Sequence, residues 1–105
     1  MSGIELIARE RERQIRDRGF TEKHDSSPGH LDGELARYAC YYAMPGCVEI
    51  KDNGFSFTID PGFFFPEFWS YELAKRKGKS RIEQLTVAGA LIAAEIDRLL
   101  RLEVV

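Results

Sequence analysis

The last quarter of the chain constrains the fold more than any other stretch. Ser80-Arg81-Ile82-Glu83 is a capping box: the serine hydroxyl accepts from the amide three residues on, and the glutamate reaches back to the serine amide. Beyond it Ile82, Leu85, Ile92, Ile96 and Leu99 recur at helical spacing. The pattern predicts a helix from Arg81 to about Leu102 with those five side chains on its core face. Ala88, Gly89, Ala90, Ala93 and Ala94 form a small-residue set that a neighbouring helix approaches closely. Glu95 lies three or four residues from Leu91, Ile92 and Leu99, a charge on an apolar stripe.

A second capping box, Ser2-Gly3-Ile4-Glu5, opens the chain and predicts a helix from Gly3 to about Arg18 that stops at Gly19. Ile4, Ile7, Ala8 and Ile15 make its apolar stripe. Arg11 sits four residues from both Ile7 and Ile15, hence on the stripe, and Arg18 extends the same line. Arg9, Arg13 and Arg16 fall on another face and read as solvated. Residues 20–31 hold Asp25, Ser26, Ser27, Pro28 and Gly29 and read as a loop. Asp32 is placed to cap a shorter helix over residues 33–43, with Leu35, Ala36, Ala39, Tyr42 and Ala43 at helical spacing and Pro45-Gly46 ending it.

The period then changes from helical to alternating. Val48 and Ile50, then Phe55, Phe57 and Ile59, alternate with polar residues about Asp52-Asn53-Gly54, which predicts a β-hairpin. Asp60-Pro61-Gly62 turns the chain into an aromatic stretch, with Phe63, Phe64, Phe65, Phe68, Trp69 and Tyr71 around Pro66. Residues 75–81 carry five positive charges in seven positions and read as a short solvated loop. The expected fold is α+β and mainly helical: two long helices and one shorter helix, with an inserted β-hairpin and an aromatic loop on one side.

At 105 residues, 1–105 is the size of a single domain. Hydrophobic residues at 44% and charged residues at 30% exclude a disordered chain. A formal net charge of −2 with 15 basic side chains does not imply general nucleic-acid binding. The longest apolar run, residues 87–96, is interrupted by Gly89 and Glu95 and falls short of a membrane span. The charged N-terminal pattern does not read as a secretory signal. Cys40 and Cys47 form neither a disulfide framework nor a zinc spacing, and are expected as packed, reduced thiols in a cytoplasm.

Three constellations carry chemistry. His24, Asp25, His30, Asp32 and Glu34 cluster imidazoles and carboxylates at short spacing. Such a set binds a divalent ion, contacts a ligand, or caps the next helix. Carboxylates projecting from facing helices are lacking, so a tightly bound metal is not expected. Arg11 and Glu95 are both charges on core stripes, and such charges need a partner or a ligand. They pair with each other, or Arg11 receives a phosphate by bidentate hydrogen bonds. The aromatic stretch either lids the core or stacks on a base. Glycine-rich phosphate loops and a nucleophile elbow are absent from the sequence.

The strings Ile7-Ala8-Arg9-Glu10-Arg11-Glu12-Arg13-Gln14-Ile15, Gly19-Phe20-Thr21, Glu22-Lys23-His24-Asp25, Gly33-Glu34-Leu35-Ala36 and Tyr38-Ala39 resemble a family of small phage and prophage proteins of unassigned function. So does the run from Ala88 to Leu99, preceded by an aromatic segment like residues 63–69. The resemblance covers roughly residues 4–43 and 63–101. Phe20 stands where that family usually shows Trp, and residues 48–59 look like an insertion. A fainter similarity links Arg11, Gly19-Phe20, Asp25 and residues 66–69 to the ryanodine-receptor repeat domain of bacterial conflict systems, for which nucleotide-derived ligands have been proposed.

These resemblances imply a phage accessory protein of the host-cell cytoplasm. It would bind a small anionic ligand or signalling nucleotide without turnover, blunting host defence, with no metal or other cofactor. Arg11 and Arg18 would hold phosphate, Phe20, Phe68 and Trp69 would stack, and His24, Asp25 and His30 would read polar edges. The alternative is an inhibitor of a host protein acting through the aromatic patch and the hairpin edge. A metal-dependent nucleotide hydrolase comes third. A homo-oligomer is expected, through the small-residue face of residues 88–94 and the hairpin edge.

Overall fold

The computed structural model describes residues 1–18, 33–64, 76 and 78–103, with backbone alone at 17, 18 and 103. The order is α1 (Gly3–Arg18), α2 (Glu34–Ala43), β1 (Val48–Asp52), β2 (Phe55–Ile59), a 3-10 turn (Pro61–Phe64) and α3 (Arg81–Glu103). It is the mainly helical α+β fold, with its inserted hairpin, that the sequence implies.

Both capping boxes close as drawn. The Glu5 amide donates to Ser2 Oγ at 3.2 Å and the Ser2 amide to Glu5 Oε1 at 3.4 Å. The Glu83 amide donates to Ser80 Oγ at 3.2 Å and the Ser80 amide to Glu83 Oε1 at 3.1 Å. Each box satisfies two amides that the first helical turn leaves without partners. At α2 the expectation fails. The helix begins at Glu34, and its N-cap is not Asp32 but Gly33 at φ 82°, which has no side chain to cap with. That left-handed angle suits glycine, which has no Cβ to clash. Asp32 lies outside the described residues.

The hairpin pairs Val48 with Ile59, Ile50 with Phe57 and Asp52 with Phe55. Asn53 and Gly54, at φ 47° and 83°, make a two-residue turn with both central residues left-handed. This turn matches the twist of the flanking strands. Val48, Ile50 and Ile59 are half-buried, while Phe55 and Phe57 stay exposed.

The core lies between α2 and α3. Leu35, Tyr38, Ala39, Tyr41 and Tyr42 meet Val87, Ala88, Leu91 and Ala94, and Phe64 of the 3-10 turn packs alongside. The three tyrosine rings pack edge to face or stacked, with centroids 5.1–6.2 Å apart. They supply the bulk that the α3 alanines lack. This reverses the expected orientation of α3. Ile82, Leu85, Ile92, Ile96 and Leu99 are exposed at 67, 46, 48, 52 and 46%. The small-residue face is the one turned inward, because large rings against alanines bring α2 and α3 close with few voids. That face is occupied within the chain and is not open for the oligomer contact expected of it.

α1 crosses α3 at Gly89, where an added Cβ would lie 2.5 Å from Ile7 Cδ1. The charge partners also differ from expectation. Arg11 Nη2 lies 3.6 Å from Asp97 Oδ2, and Glu95 is taken by Arg98, whose Nε donates to Glu95 Oε1 at 2.5 Å. Residues 95 and 98 are one helical turn apart on the same side of α3, which puts the local pair within reach.

The basic run is not simply solvated. Arg76 donates to the carbonyls of Tyr41 at 2.9 Å and Met44 at 2.5 Å, with its guanidinium 5.7 Å from the Tyr41 ring centroid. Arg81 donates to the carbonyls of Ala43 and Met44. Two arginines thereby satisfy the last carbonyls of α2 and meet the negative end of its dipole.

Cys40 and Cys47 are both free, and both are exposed rather than packed. The Cys47 thiol donates to Asp60 Oδ2 at 3.5 Å, and that bond, with burial and the carboxylate charge, pushes its pKa up. Among the described residues, no helix is long and apolar enough to cross a membrane.

Candidate functional site

α1 turns a polar face toward α2 and the start of α3. Glu10, Arg13 and Gln14 share that face at three- and four-residue spacing. Arg13 grips Glu10 with two parallel bonds, Nε to Oε1 and Nη2 to Oε2, both 2.7 Å. Gln14 Nε2 donates to Glu10 Oε2 at 3.1 Å. Both carboxylate oxygens of Glu10 are therefore engaged.

Gln14 is only 2% exposed, and its Oε1 has no hydrogen-bond partner. An unpaired buried carbonyl costs roughly 1–3 kcal/mol, so its retention calls for a reason. The amide borders a recess of about 20 Å³ that Tyr38, Tyr42, Val87 and Leu91 also line. The Tyr38 and Tyr42 hydroxyls stand 3.4 Å apart there. They fall together because α2 sets them four residues apart on the face that carries Leu35. The recess has room for about one water-sized group.

The recess shares Glu10, Arg13, Lys79 and Val87 with a groove of about 590 Å³ between α1 and the first turns of α3. Leu6, Ile82, Thr86 and Val87 form its less polar floor; Glu10, Arg13, Lys79 and Glu83 form its charged rim. That volume lies in the range of small-ligand sites. Lys79 is held by its backbone: its amide donates to Arg76 O at 3.2 Å, and its carbonyl accepts from Gln84 Nε2 at 3.3 Å. The half-buried Lys79 ammonium forms no ion pair among the described residues. Glu83 lies within electrostatic reach of Lys79, and its carboxylate also serves the helix cap. Hydrogen bonds from the Ser80 amide and hydroxyl, with a smaller pull from Lys79, hold the Glu83 pKa below the usual carboxylate range.

Of the residues expected at a site, Arg11 is turned toward Asp97, and Arg18 is the last residue of α1. Phe20, His24, Asp25, His30, Phe68 and Trp69 lie outside the described residues. Among the described residues, no group of three or more His, Cys, Asp or Glu is placed to hold a metal. Arg13, read as solvated, instead lines the groove, and Gln14, Tyr38 and Lys79 were not singled out at all. A signal was present: Glu10, Arg13 and Gln14 at helical spacing, and two tyrosines four apart on the core face of α2.

Comparison with known family models, curated proteins and solved structures finds no match to this chain.

Proposed function

We propose that the chain binds a small anionic ligand of the nucleotide type in the groove between α1 and α3, without turning it over. One observation carries this reading: a half-buried Lys79 ammonium with no ion pair among the described residues and the buried, unsatisfied Gln14 amide oxygen border the same recess beside the groove. Lys79 receives the anionic group beside the positive end of the α3 dipole. The floor of Leu6, Ile82 and Val87 takes a flat apolar body. Gln14 Oε1 accepts from an N–H at the far end, such as the exocyclic amine of a base. Glu10 is locked by Arg13 and Gln14, and Glu83 by Ser80, so the rim carboxylates are arranged to hold position rather than to move a proton. The resemblance to small phage proteins supports the setting: sequestration of a host signalling nucleotide to blunt defence.

Native mass spectrometry of protein purified from bacteria with active nucleotide signalling tests this, followed by titration with linear and cyclic mono- and dinucleotides. A retained small molecule is expected. Lys79→Glu should lower affinity by roughly 10- to 100-fold, the value of a charge-assisted hydrogen bond. Its melting temperature should fall only slightly, through the lost attraction between Lys79 and the Glu83 cap. Equal retention by wild type and Lys79→Glu, or no binding across the panel, overturns the reading.

A further inference from the structure

Ile82, Leu85, Gly89, Ile92, Ile96 and Leu99 follow 3-4-3-4-3 spacing along α3. That is the alternation of a helix seam, in which each position lies over the same partner helix. α2 packs on the other side of α3, against Val87, Leu91 and Ala94, so it does not cover this line. At Gly89, the one gap in it, Ile7 of α1 fills the place of the missing side chain. The outcome is an apolar ridge about 26 Å long from Ile82 to Leu99. Its five large side chains are each roughly half exposed.

We propose that this ridge is the interface of a homodimer in which the α3 helices of two copies lie antiparallel, about a two-fold axis passing between residues 90 and 91. That register opposes Ile82 to the partner's Leu99, Leu85 to the partner's Ile96, and Gly89 with its Ile7 filler to the partner's Ile92. Every large residue then meets a large or filled position, and the pattern maps onto itself, as an isologous contact requires.

The shape of the ridge selects this orientation. At its N-terminal end lies an apolar notch of about 200 Å³, bounded by Gly3, Leu6, Ile7, Ile82, Leu85 and Thr86. At its other end Ile96 and Leu99 stand out from the surface at 52 and 46% exposure. The antiparallel pair brings the protruding end of each copy to the notched end of the other. A parallel pair would set notch on notch and Leu99 on the partner's Leu99. The notch lining has no charged side chain, so the surface suits an aliphatic partner.

Area points the same way. The five large side chains expose roughly 500 Å² per copy, close to the largest patch a typical monomer shows. Two copies bury about 1,000 Å² from these alone, the threshold for a specific interface. Exposed Ile4 and Leu100 add contact at the margins.

Light scattering across low- to high-micromolar concentrations should give the dimer mass. Ile96→Glu should give the monomer mass with unchanged helical circular dichroism. Orientation is read by disulfide trapping in a Cys40→Ser/Cys47→Ser background, which also decides the matter if Ile96→Glu fails to fold. A mixture of Ile82→Cys and Leu99→Cys proteins should cross-link into a heterodimer, while each alone should not. A monomeric wild type overturns the proposal, as does a ridge covered by another segment of the same chain, recognised as a monomer that Ile96→Glu destabilises. Self-cross-linking of Leu99→Cys alone overturns the antiparallel register.

Discussion

Gly89 fixes how closely α1 approaches α3. A Cβ built there would fall 2.5 Å from Ile7 Cδ1 and 2.7 Å from Ile7 Cγ1, distances that real side chains do not adopt. Two effects of opposite sign meet at this position. Alanine in a helix interior is favoured over glycine by about 1 kcal/mol, while overpacking costs about 1–3 kcal/mol. Gly89→Ala should therefore destabilise by about 1 kcal/mol, measured by urea unfolding. In an Ile7→Ala background the same substitution should become stabilising by about 1 kcal/mol, since only the propensity gain is left. An effect of the same sign in both backgrounds would mean that Ile7 is not what the glycine accommodates. Arg11 shows what the sequence does and does not disclose at this scale. Its place on the stripe of α1 was legible from spacing, and it is indeed only 13% exposed at its side chain. Its neighbour was not, because the azimuth of α3 about its own axis decides whether residue 95 or 97 faces α1. Neither helix's sequence sets that angle alone.

The elements that were legible are those specified within a few residues. A capping box is complete in four residues, and both place their helix starts correctly. The hairpin register follows from Asn53-Gly54 and the alternation on either side. The buried face of α3 was not legible, because the helix has two apolar faces and the choice rests on the volume of α2. Three tyrosines and a leucine fill the space over alanines; over Ile and Leu they would not fit at the same separation. The caps on α2 from Arg76 and Arg81 were hidden for a related reason, since their acceptors lie 32 to 38 residues away. At the start of α3 the cap makes a pH prediction. The Glu83 pKa is depressed in the fold, mainly by the Ser80 amide. An unfolded chain has it near 4.3. The ionised form thus stabilises the fold fully above that value, and its contribution is lost as pH falls through the lower folded pKa. Urea unfolding of wild type and Glu83→Gln should show a stability gap at neutral pH that closes in this acidic window. A gap that persists below it would assign the difference to something other than the carboxylate charge.

At the scale of the whole molecule, the proposed ligand groove and the proposed dimer ridge are not separate surfaces. Leu6, Ile82 and Thr86 line both the groove and the apolar notch. A partner seated on Ile82 from one side therefore steadies the floor that a ligand meets from the other, and the two binding events are linked in free energy. The same geometry explains how a chain of 105 residues tolerates so thin a core. A domain of this size buries only roughly 65% of its unfolded surface, and here the aliphatic half of its longest helix is left outside. If the dimer supplies the missing burial, unfolding is coupled to dissociation, and stability depends on protein concentration by mass action. Each tenfold rise in concentration then adds about 1.4 kcal/mol per dimer, or about 0.7 kcal/mol per chain. For a chain of this length that is roughly 3 °C in melting temperature. Scanning calorimetry over two decades of concentration should show this slope for the wild type. Ile96→Glu should melt at one lower temperature throughout, because its unfolding releases no partner. A flat wild-type melting temperature would show that the fold is self-sufficient with its ridge exposed, and the ridge would then have no part in stability.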